Sequence, residues 1–147
     1  RGLDGLIGRR VVCMPSPSLG FAMLAELFTN PVAQPDIRSE AASWRDGVEM
    51  IFGDEADAAM VPRYIADLYP NLVEVAQSKT LPGPAISAAS SVPEVDRNAV
   101  RDALLKLHES AAASQVLAEL GITGFKETDA SDYAGDEVIL KGFFGYQ

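Results

Sequence analysis

Short apolar blocks separated by polar turns run through the first half of the chain, and their spacing alternates between that of buried strands and that of amphipathic helices. Residues 9–14 (RRVVCM) read as a strand and residues 21–28 as a helix, which Asn30-Pro31 and Pro35 then break. Residues 37–42 predict a second strand. In residues 44–52, Trp44, Val48, Ile51 and Phe52 fall on one helical face, with Gly53 as the helix end. Residues 56–61 (ADAAMV) form a small-residue strand ending at Pro62, residues 63–69 a short helix closed by Pro70, and residues 72–76 another strand. The resulting β-α-β-α-β-α-β order predicts an α/β fold with a mainly parallel sheet flanked by helices.

The pattern changes at residues 80–85 (TLPGPA), where two prolines around a glycine mark a crossover and the best hinge candidate in the chain. Residues 1–80 are thus expected to form one α/β unit, and residues 81–147 a hinge crossover followed by C-terminal helices. Residues 86–91 resume as an extended strand, and Val92-Pro93-Glu94 leads into a long helix with Val100, Leu104 and Leu107 on one face and Ala103 beside them. A further helix covers residues 111–120 and stops at Gly121. Residues 129–133 and 137–144 are short final helices, and the aromatic end, Phe143, Phe144 and Tyr146, is expected to pack down as a lid on the core.

Composition narrows this picture. At 147 residues and 48% hydrophobic, the chain can bury the core of one ordinary soluble domain. Twenty-one Asp and Glu against 12 Lys and Arg leave a net charge of -9, which argues against a nucleic-acid partner. No apolar run is long enough to span a membrane, no signal-peptide pattern stands at the N-terminus, and a start at Arg1 rather than Met is expected to reflect processing or truncation. The single cysteine, Cys13, cannot form an internal disulfide.

The chemistry concentrates at residues 8–28, a strand, a loop of small hydroxylic residues and a helix that opens on Gly20. Unpaired N–H groups and the positive end of the dipole make such a helix start favourable to an anion, with Ser16 and Ser18 as hydroxyl donors. Arg45 and Arg63 open predicted helices near the carboxyl ends of strands, where open α/β sheets place ligands, and a guanidinium suits phosphate or carboxylate. The commoner reading of such an arginine is a solvated surface residue paired with a nearby acid, Asp46 or Glu49. Trp44 is a stacking surface or a core plug, and Tyr64 follows the same logic. Cys13 reads as a buried thiol or as a soft thiolate ligand, His108 as a complement to a helix dipole, and Asp54, Glu55 and Asp57 as a solvated corner. No zinc set, other metal site or hydrolase elbow emerges, so neither a cofactor nor catalysis is expected.

Five segments taken in order, GRRVVCMPSPSLGF, GDEADAAMVP, SKTLPGPAIS, VPEVDRNAVRDALLKL and LAELGITGFKETDASDY, resemble the C-terminal part of bacterial phosphonate-type periplasmic substrate-binding proteins. The resemblance implies a type II periplasmic-binding fold with two lobes closing on a small anionic solute, an ABC-transporter permease as membrane partner, and a periplasmic location. Because the family is longer, the chain would correspond to the second lobe plus the segment crossing back from it. If the first lobe is absent, the apolar faces of residues 86–91 and the long helix are left to be covered, for instance by a homodimer. The family's S-T-S-G loop stands here as Pro17, Ser18, Leu19 and Gly20, with Ser16 just outside it, and its S-H-D as Ser43, Trp44 and Arg45. The acidic residue of its P-N-D-P crossover has no counterpart in Pro82-Gly83-Pro84. These departures imply weaker or redirected oxyanion binding and no carboxylate for a ligand amine. The same fold also suits a ligand-sensing or interaction domain that controls a partner protein.

Overall fold

A computed structural model describes residues 2–145. Its sheet has three strands, β1 (Arg10–Val12), β2 (Asp36–Arg38) and β3 (Ala58–Ala59), all parallel and ordered β2-β1-β3. Val11 pairs with Ile37 on one edge of β1 and with Ala58 on the other, while Val12 pairs with Arg38 and Ala59. Backbone bonds extend both ladders past the strand ends, from Cys13 N to Arg38 O at 2.9 Å and from Met60 N to Val12 O at 2.9 Å.

Because successive strand residues face opposite sides, β1 feeds two apolar layers. Val11 and Cys13 pack with Leu24 and Phe28 of α1 (Leu19–Leu27) and its C-terminal cap, while Val12 packs with Ala41 and Ala56 under α2 (Trp44–Phe52). Small residues let α2 lie close to the sheet. A methyl group on Gly47 would stand 3.6 Å from the Ala41 and Ala59 Cβ atoms and 3.8 Å from Val12 Cγ1. Both helices start on a serine cap: Ser18 Oγ accepts from Phe21 N, and Ser43 Oγ from Asp46 N, each at 3.0 Å. A four-residue helix, α3 (Arg63–Ala66), follows β3.

The chain divides into two units, one made of residues up to Thr80 together with those from Gly135 onward, the other of Leu81–Ala134. In the first, the C-terminal helix α6 (Glu137–Phe144) packs on α1. Phe21 meets Phe143 edge-on at 5.3 Å and stacks with Phe144 at 6.4 Å, so two of the three lid aromatics reach the α1 side of the core; Tyr146 lies outside the described residues. The second unit holds α4 (Glu94–Leu105), short 3-10 turns, and α5 (Ser114–Glu119), with Ala113 and Leu117 as its buried apolar residues.

The α/β class and the parallel sheet agree with the sequence, but several elements differ. Residues 72–76 form no strand: Val73 is 84% exposed, and Glu74 is paired with Arg63, so no face is available to bury a ladder. Residues 86–91 likewise form no strand; apart from a 63% exposed Ile86, the segment is small alanines and serines with little apolar area to bury. The helix expected over 111–120 is a 3-10 turn followed by α5, and the one expected over 63–69 shortens to α3. α4 buries no residue, and Val100 on its apolar face stays exposed.

The acidic corner is not merely solvated. Arg10 Nε donates to Asp57 Oδ2 at 3.0 Å, Nη1 to the Asp54 carbonyl at 2.6 Å and Nη2 to Asp54 Oδ1 at 3.1 Å, which pins the loop before β3 to the start of β1. The side-chain hydrogen bond from Arg10, then its backbone N–H, hold the Asp57 carboxyl at about 2 against an ordinary 3.8. The unfolded chain therefore takes up this proton at higher pH than the folded one, so the contribution is complete above pH 3.8 and lost as pH falls through about 2.

Two outcomes are expected from denaturant unfolding. Gly47→Ala stabilises the protein by about 0.5–1 kcal/mol, since the added methyl meets only ordinary contacts and alanine favours the helix. Asp57→Asn lowers stability at neutral pH, and the gap to wild type closes as pH falls from 3.8 towards about 2; a gap independent of pH contradicts the Arg10 assignment.

Candidate functional site

Parallel strands end on one edge, and there α1, α2 and α3 begin, capped by Ser18, Ser43 and Pro62. Connections leave β1 first towards β2 and then cross to β3, so the strand order reverses between β1 and β3 at this edge. Open α/β sheets bind ligands outside the carboxyl ends of strands at such a reversal.

Two of the residues singled out in the sequence, Gly20 and Trp44, meet here, and Ser18 caps the same helix start as Gly20. Gly20 is buried, and a methyl group on it would lie 3.4 Å from Trp44 Cη2 and 3.8 Å from Met60 Cγ. The start of α1 thus touches both the indole that opens α2 and the residue that follows β3. Trp44 is half-buried against this backbone: its ring fills the gap beside the start of α1 while part of it remains accessible. Ser18 is more constrained than the sequence suggests. Its hydroxyl caps α1 and donates to the Met14 carbonyl at 3.3 Å.

Ser16 follows the opposite course. Its backbone N–H donates to Ser39 Oγ at 2.7 Å, and the Ser39 hydroxyl in turn donates to Met14 O at 3.0 Å, so the loop is held by its backbone. The exposed Ser16 hydroxyl has no hydrogen-bond partner among the described residues. Arg45, on the first turn of α2, is exposed and equally without a hydrogen bond or ion pair among them. Arg63 is instead occupied by Glu74 at 3.4 Å, and Tyr64, partly exposed beside it on α3, makes no hydrogen bond among the described residues. Neither of these two α3 side chains is among the groups that approach Gly20.

Two features escaped sequence reasoning. Ser39 acts as the strut of the loop, a role that depends on the β1–β2 pairing and left no local signal. Beside α2, a concavity of about 390 Å³ is lined by Glu40, Asp46, Glu49, Met50 and Glu55. The density of acids in α2 was the available signal for it. Asp46 Oδ2 accepts from Ala42 N at 2.7 Å, so part of its charge already serves the helix start.

Cys13 lies fully inside the core, where burial raises its thiol above the ordinary range and the Ser39 hydroxyl only offsets this. Such a thiol is a poor soft-metal ligand. No group of His, Cys, Asp and Glu able to hold a metal ion occurs among the described residues, and no helix there is long and apolar enough to cross a membrane. His108 sits on the 3-10 turn after α4, packed over Gly124.

Neither a curated protein nor a solved structure matches the chain. The sequence model of the family described as ABC transporter, phosphonate, periplasmic substrate-binding protein matches residues 2–133, which take in all three strands and the whole Ser16–Arg45 site. The chain belongs to the phosphonate-type periplasmic substrate-binding proteins of ABC transporters.

Proposed function

We propose that the chain captures a small anionic solute, a phosphonate or a related oxyanion, at the carboxyl edge of its parallel sheet and presents it in the periplasm to an ABC-transporter permease. The Ser16–Gly20 loop then forms one wall of a type II binding cleft. The observation that carries this reading is the meeting of two helix starts, α1 at Gly20 and α2 at Trp44, with the ring of Trp44 between them.

Each start offers its first N–H groups and the positive end of its dipole, with the Trp44 ring lying against the first of them. The Ser16 hydroxyl, in the loop leading into α1, and the Arg45 guanidinium, on the first turn of α2, are donors without a partner among the described residues. Trp44 supplies an apolar face for the carbon side of an organic oxyanion. The four carboxylates of the neighbouring concavity repel an anion from that flank and confine it to the β1–α1 side. Because Ser18 is spent on its cap, binding relies on backbone N–H groups and Arg45 more than on hydroxyls.

Thermal-shift titration tests this with methylphosphonate, inorganic phosphate and, as a cationic control, choline. Either oxyanion raises Tm, with about 2.7 kcal/mol of stabilisation at a hundredfold excess over Kd, and choline does not. Arg45→Ala weakens the apparent Kd about ten-fold through loss of a charge-assisted hydrogen bond. A flat response to both oxyanions at millimolar concentration overturns the proposal.

A further inference from the structure

The chain leaves the first unit between Thr80 and Leu81 and returns to it between Ala134 and Gly135. Next to these crossings, the outgoing and returning segments are tied to each other within each unit. In the first unit, Lys79 Nζ donates to Asp136 Oδ1 at 3.0 Å, joining the residue before the last one on the way out to the second on the way back. In the second unit, the Tyr133 hydroxyl donates to the Gly83 carbonyl at 3.0 Å. The tied residues lie 57 and 50 positions apart in sequence, so neither tie is a by-product of local chain geometry.

Between the ties only residues 80–82 remain on the outgoing segment and 134–135 on the returning one. Gly135 has φ +92°, backbone freely open only to glycine, and Pro82 fixes its own φ and offers no N–H. Lys79 also lines a concavity of about 180 Å³ together with Met23, Leu27 and Ile139, and its ammonium stands at the Asp136 carboxylate. Glu26 lines the same concavity.

We propose that the Lys79–Asp136 ion pair and the Tyr133–Gly83 hydrogen bond form a two-sided latch that makes the two connections move together and confines any movement between the units to residues 80–82 and 134–135. The latch is independent of what the site binds. One side is electrostatic and half-exposed, so it loosens at high ionic strength, where the screening length contracts to about 3 Å at 1 M salt.

Spin labels on Asp67→Cys in the first unit and Glu109→Cys in the second, both exposed positions, report the distribution of distances between the units by pulsed electron resonance; buried Cys13 stays unlabelled. In the 147-residue chain without ligand, Asp136→Ala raises the weight of displaced distances roughly two- to five-fold, the factor that an exposed ion pair is worth. The exchanged pair Lys79→Asp with Asp136→Lys restores the wild-type distribution, and 1 M salt on the unsubstituted latch reproduces the Asp136→Ala result without any change to its sequence. An unchanged distribution in Asp136→Ala and in high salt overturns the latch, and so does a broadened one that the exchange fails to restore.

Discussion

The first unit depends on three consecutive residues that are satisfied on every side. Val11, Val12 and Cys13, the end of β1 and the residue after it, are hydrogen-bonded along both edges and apolar towards both faces, so β1 sets the register of β2 and β3 and at the same time receives α1 and α2. Burying Val11, Val12 and the following Cys13 this way leaves them no polar outlet, which is why they form an unbroken apolar run, while Arg10 at the start of the strand carries its charge to Asp54 and Asp57. The arrangement also explains the site. Once β1 is central and all strands are parallel, the helix starts must gather at one edge, and the loop after β1 must lie among them.

Local signals carried the legible part of the fold. Val11 to Cys13, the face made by Val48 and Ile51 in α2, and the glycine and proline stops placed three strands and two helices within a few residues of where they lie. What failed was the assignment of strands that would need a partner. Residues 72–76 have the β-branched valines of a strand, yet pairing is decided by whether a neighbouring ladder and a buried face exist, and Val73 has neither. The return of α6 to α1 was legible only as an aromatic tail, because aromatic residues declare that they will be buried without declaring against what.

The site shows the same division. Ser18, Gly20 and Trp44 could be named from the order of strand, loop and helix, since capping and close approach are local demands. Which hydroxyl remains available was not legible. Ser16 and Ser18 look equivalent in sequence, and only the contacts to Met14 and Ser39 decide that one is consumed by the backbone and the other is not. Among the arginines the deciding fact was again distant: Glu74 claims Arg63, while nothing claims Arg45 among the described residues. Membership of the phosphonate-type binding proteins therefore fixes the type of scaffold, whereas the chemistry at its edge is set by individual side-chain commitments.

The packing of α6 on α1 has a consequence for biosynthesis. Phe21 precedes the second unit in the chain, and the aromatics that cover it, Phe143 and Phe144, follow that unit. During synthesis from the N-terminus the sheet can assemble while the outer side of α1 stays bare, and it remains so until the second unit has been made in full. The first unit closes only after the second has been made, which keeps its apolar flank open to a chaperone while residues 81–134 are synthesised.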